Sequence, residues 1–132
     1  MGVVTRTLDL TIEAWELAVC RLPPDDPLPA WAMRGAFHAT VRTPAELSIV
    51  CSADGVPAGV RAEKGWRCLS LAGPIAFEET GVLSSIAAPL AAAEVGIFAI
   101  STFDTDYVLV PGRRLDTALR ALESAGHRIR KG

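Results

Sequence analysis

The sequence predicts an α+β fold: an antiparallel sheet with two helices on one face. Three observations lead there. Residues 65–132 alternate short β-rich runs with two stretches of helical apolar spacing, in the order β-α-β-β-α-β. Residues 1–60 repeat that scheme in weaker form, with room for only helical stubs. Half of the 132 residues are hydrophobic and only 6% are aromatic, so the chain has a core to bury and that core is mostly aliphatic.

Taken in order, residues 8–12 and 15–22 read as two strands. Residues 23–29, rich in Pro and Asp, read as a loop, and 28–33 as one turn of helix. Residues 37–42 and 47–51 read as two strands around the turn Thr43-Pro44-Ala45. Residues 56–60 leave room for one more short helix, and 54–65 is the only plausible linker. Two stubs cannot cover a sheet, so this half needs the second half or a partner chain.

The second half is clearer. Residues 66–71 form a strand ended by Gly73-Pro74. Thr80 stands as the N-cap of a helix over 81–94, with Val82, Leu83, Ile86 and Leu90 on its apolar face, Pro89 kinking it and Gly96 closing it. Residues 97–102 form a buried strand, Asp104-Thr105 a tight turn, and 107–110 the return strand, ended by Pro111-Gly112. Leu115, Ala118, Leu119 and Leu122 mark a second helix with Gly126 at its C-terminal stop, and 127–130 a last edge strand. This is the split βαβ, ferredoxin-like order, here as two fused pseudo-repeats with the first degenerate. The predicted modules are 1–60 and 65–132.

Composition removes several functions. The net charge is −2 and no basic face stands out, which argues against nucleic-acid binding. The three cysteines, Cys20, Cys51 and Cys68, lie in apolar runs without ligand spacing, so they read as buried reduced thiols of a cytoplasmic protein rather than a disulfide framework or metal site. Acidic Asp9, Glu13 and Glu16 stand where a signal peptide would be apolar. Pro89 and Glu94 break the most apolar stretch, 82–100, so no membrane span is expected. His38 and His127 have no acid or nucleophile at a recognisable spacing, and no phosphate loop or dinucleotide fingerprint occurs. Neither an enzyme nor a cofactor is expected.

Three runs then carry a resemblance: residues 77–83 (FEETGVL), 88–91 (APLA) and 98–110 (FAISTFDTDYVLV). Together with 43–51 (TPAELSIVC), they resemble the ACT family, in particular its cytosolic arginine-sensor branch and short bacterial proteins with two ACT modules. The resemblance implies a regulatory sensor that binds an amino acid at the contact between two ACT modules, in a homodimer. It implies a site near Glu79, Thr80, Gly81 and Val82 and near Thr102, Phe103 and Asp106, completed by Gly96 and Ile97 of the neighbouring module. Two departures from the arginine sensors, Gly96 for serine and Ala76 for glycine, motivate an alternative: a docking module that keeps the dimer and has lost its ligand.

Elementary chemistry points the same way. A ligand carboxylate seeks unpaired backbone N–H groups, which the helix start after Thr80 supplies with the positive end of its dipole. Gly81 admits close backbone approach. Glu79 and Asp106 suit an ammonium or guanidinium, which tilts the ligand toward arginine or lysine, and Phe103 suits the stem of a cationic side chain. Each residue also has a purely structural reading: Thr80-Gly81 as a helix start, Glu79 as dipole complement, Asp104 and Asp106 as turn residues, Phe103 as core, Gly96 as a helix stop.

Overall fold

The computed structural model describes residues 6–76 and 78–132. Its elements are β1 (Asp9–Leu22), β2 (Ala39–Arg42), β3 (Leu47–Ser52), β4 (Arg61–Leu71), α1 (Val82–Ala92), β5 (Phe98–Ser101), β6 (Asp106–Pro111), α2 (Leu115–Ser124) and β7 (Arg128–Lys131). The chain divides into two compact units, Met1–Ala14 with Arg67–Gly132, and Trp15–Trp66.

In the larger unit the strand order is β7-β1-β4-β6-β5. β7 runs parallel to β1, with Asp9 opposite Arg128 and Leu10 opposite Ile129. β5 and β6 form an antiparallel hairpin in which Phe98 faces Leu109 and Ser101 faces Asp106. Alternate strand residues Leu10, Leu69, Leu71, Val108 and Val110 share one core with Val82, Ile86 and Leu90 of α1 and Ala118 and Leu122 of α2. The period of two on the strands and of about 3.6 on the helices is what lets these faces meet. The two helices on the sheet give the ferredoxin-like α+β fold that the sequence predicts.

Both helices end in the same way. Past α2, the Gly126 N–H bonds the Glu123 carbonyl at 3.0 Å and the His127 N–H bonds the Leu122 carbonyl at 3.1 Å. Gly126 has φ +98, the left-handed conformation this Schellman stop requires. Past α1, the Glu94 N–H bonds the Ala91 carbonyl at 3.0 Å and the Val95 N–H bonds the Leu90 carbonyl at 2.9 Å. Here the left-handed residue is Glu94, at φ +59. The stop of α1 is therefore Glu94 and not Gly96, as the sequence suggests.

His127 is buried between elements. Its Nδ1 accepts from the Leu8 N–H at 3.1 Å, and its Nε2 lies 2.8 Å from the Ser85 carbonyl. The two contacts fit the tautomer that donates from Nε2, with both ring nitrogens satisfied.

In the smaller unit the order is β2-β3-β1-β4. Its core is Ala18, Cys20, Leu47, Ile49 and Cys51 from strands, joined by Ala32, Ala53 and Val56. Two 3-10 turns, Ala30–Met33 and Ala53–Gly55, stand where full helices stand in the other unit. Trp15 stacks on Phe37 with ring centroids 5.7 Å apart. Several boundaries differ from the sequence reading. The two strands expected over 8–22 are one 14-residue strand. The second stub lies at 53–55 rather than 56–60, and β4 begins at Arg61, inside the expected linker. β5 is half-exposed rather than buried, because its residues alternate between partly buried and exposed.

All three cysteines are free and buried. Burial raises the thiol of Cys20 to about 11 and that of Cys68 to about 12, and it raises Cys51 as well. They are hydrophobic packing groups at neutral pH. No described helix is long and apolar enough to cross a membrane.

Candidate functional site

A cavity of about 340 Å³ opens in the larger unit. Three segments wall it: the loop with Ile75, Ala76 and Glu79; the first turn of α1 from Gly81 to Ser84; and the β5–β6 hairpin with Ser101, Thr102, Phe103, Thr105 and Asp106.

Local chemistry holds these walls together. The Ile75 N–H donates to the Asp104 carbonyl at 2.6 Å, and the Thr105 hydroxyl donates to the Leu71 carbonyl at 2.9 Å, so the loop is tied to the hairpin tip. A Cβ on Gly73 would come within 3.1 Å of the Asp104 carbonyl oxygen, so any larger residue here requires the hairpin tip to give by a few tenths of an ångström. The Thr102 N–H donates to the Thr105 carbonyl at 2.8 Å, closing the hairpin.

The start of α1 departs from expectation. The N-cap is Gly81 at φ +78, not Thr80, and no side chain caps the first turn. Instead the Gly81 carbonyl accepts the Ser84 hydroxyl at 3.1 Å and the Ser85 hydroxyl at 2.6 Å. The first turn carries no acidic residue, so the positive end of the dipole is not balanced from within the helix. Both carboxylates lining the cavity come from outside it. Asp106 accepts the hydroxyl of its cross-strand partner Ser101 at 2.5 Å. Glu79 is paired with Arg6, with Nη1 3.4 Å from Oε1.

Of the residues the sequence singled out, Glu79, Gly81, Val82, Thr102, Phe103 and Asp106 line this one cavity. Thr80 precedes the cap and is not in the wall. Gly96 and Ile97 sit between α1 and β5, away from the wall, and a Cβ on Gly96 would meet nothing within 4 Å. Phe103 is 79% exposed, which removes its reading as core. Sequence reasoning missed Ser101, Ser84, Thr105 and Ile75. Ser101 faces Asp106 because the hairpin turns about Phe103 and Asp104, one residue before the Asp104-Thr105 turn that the sequence suggests. Among the described residues no group of three or more His, Cys, Asp or Glu could hold a metal ion.

Residues 61–124 match the ACT domain model, and residues 16–59 match the model of an N-terminal domain family. A crystal structure of a protein from Agobacterium tumefaciens superimposes with a TM-score of 0.92 at 39% identity, covering 97% of this chain and 96% of that one. The chain belongs to the ACT-domain family. Its ACT region is 39% identical over 59 residues to the cytosolic arginine sensor for mTORC1 subunit 1 of Homo sapiens and of Bos taurus, matching 44% of this chain. The match spans only 18% of the length of those curated relatives. The regulatory subunit of aspartate kinase from Thermus thermophilus, ligand-free, shares the fold, with a TM-score of 0.61 at 15% identity over 93% of this chain and 99% of that one.

Proposed function

We propose that this protein is a regulatory sensor that binds an amino acid in the cavity beside the start of α1. The observation that carries the reading is the meeting of Glu79, Gly81 and Asp106 around one hollow. A free amino acid brings an anion, a cation and a side chain. Its carboxylate takes the uncapped N–H groups of the first turn, where the dipole favours negative charge. Its cationic end takes the two carboxylates of the wall, Glu79 and Asp106, which a guanidinium can grip through parallel hydrogen bonds. Phe103 covers the aliphatic stem. The cationic side chain of arginine or lysine fits this arrangement better than a neutral one.

The site is open on one side, and in this reading a second copy of the chain closes it, with Gly96 and Ile97 of the neighbouring ACT module facing the ligand. The protein is then a cytoplasmic homodimer without catalytic activity. Ligand held across such a contact tightens the dimer and signals by linkage. A thermal-shift panel of proteinogenic amino acids at millimolar concentration tests this. A ligand at about 100 times its Kd stabilises the fold by about 2.7 kcal/mol, a rise of several degrees. That shift disappears in Asp106→Ala. Sedimentation showing monomer at micromolar concentration with and without ligand rejects the dimer.

One observation favours a second reading. Phe103 is 79% exposed on the hairpin tip, as expected of an anchor for a protein partner. A docking module of this kind gives a flat amino-acid panel from a well-folded dimer.

A further inference from the structure

We infer that Arg6 is an internal competitor for the cationic end of the ligand, a latch that closes on Glu79 when the site is empty. The inference rests on the amino-acid reading of the cavity. Glu79 is one of the two carboxylates in its wall, and the Arg6 guanidinium already engages it at 3.4 Å. That guanidinium has the charge and donor geometry of an arginine side chain, so the two compete for one carboxylate.

The latch is held at hand by an anchor two residues on. The Leu8 N–H donates to His127 Nδ1 at 3.1 Å, and the Leu8 carbonyl accepts from the Arg128 N–H at 2.9 Å. The Leu8 side chain packs on the core. Two residues span at most about 7 Å, so the Arg6 backbone stays within that distance of the Leu8 anchor. The same His127 bonds Ser85 at 2.8 Å, which ties the anchor to the helix that walls the cavity. Both members of the pair are partly exposed, with side-chain exposures of 35% and 42%, so the latch can open without disturbing the core.

An exposed ion pair of this kind favours the closed form by a factor of about two to five. The closed fraction lowers apparent affinity in proportion. Calorimetric titration with L-arginine, L-lysine and L-citrulline, on wild type, Arg6→Gln, Glu79→Gln and the double variant, reads it out. Arg6→Gln is expected to tighten arginine and lysine roughly three- to six-fold, with the gain shrinking at high salt. Citrulline, isosteric but neutral, shows no gain. In the Glu79→Gln background the Arg6 substitution changes nothing. Equal arginine affinity for wild type and Arg6→Gln overturns the latch and leaves the site reading standing. An equal gain for citrulline also overturns it, because a merely structural effect ignores ligand charge. If none of the three binds either wild type or Arg6→Gln, the cationic-ligand reading of the site fails and the latch falls with it.

Discussion

The two units solve the same problem with different means, and the difference places the site. Each is a sheet whose apolar face must be covered. In the larger unit α1 and α2 bring Val82, Ile86, Leu90 and Leu122 onto Leu69, Leu71, Val108 and Val110. In the smaller unit 3-10 turns of four and three residues do the covering, and the core is built from Ala18, Cys20, Ala32, Cys51 and Ala53 around Leu47 and Ile49. A full helix supplies a large apolar stripe and also a row of N–H groups at its start. A single 3-10 turn supplies neither. The cavity with its two carboxylates accordingly sits at the start of α1.

The comparison can be broken first by cavities in the core. Ile86 is fully buried in the helical unit, and Ile86→Ala is expected to cost about 3–4 kcal/mol. Cys51→Ala, equally buried in the other unit, removes one sulfur atom and is expected to cost about 1 kcal/mol. Chemical denaturation of both variants measures the contrast, and equal losses would remove it.

The joint between elements is tested next. His127→Leu leaves the Leu8 N–H and the Ser85 carbonyl without their partner, a cost of about 1–3 kcal/mol by the same denaturation. The helix ends come last. They share one motif, with glycine in the left-handed position after α2 and glutamate after α1. Glu94→Gly is expected to stabilise by about 0.5–1 kcal/mol and Gly126→Ala to destabilise by about 1 kcal/mol. Each shifts the Tm by roughly 2–4 °C, in opposite directions. Thiol titration probes both units together: all three cysteines resist a disulfide reagent at pH 8 in the folded protein and react after unfolding.

The same contrast explains what could be read from the sequence. The helical unit is legible element by element because Val82, Ile86 and Leu90, and Ala118 and Leu122, repeat at helical spacing. The smaller unit is not, because alanine and cysteine mark a buried face weakly. Glu13 and Ala14 looked like a break, yet β1 runs through them, pairing with β7 before that point and with β3 after it. Gly96 looked like the stop of α1 because glycine is favoured there, but hydrogen-bond geometry chose Glu94. At the site, Glu79, Gly81 and Asp106 were visible as chemistry. The Arg6–Glu79 pair was not, because the two residues are 73 positions apart in sequence and only the fold joins them.

The central claim is that the hollow beside α1 holds an amino acid. Amide hydrogen exchange of the wild-type protein with and without millimolar L-arginine addresses it most directly. Binding there slows exchange at residues 82–84 and 102–106, and leaves β2 and β3 unchanged. Protection confined to residues 15–66, or none anywhere at saturating ligand, would contradict it.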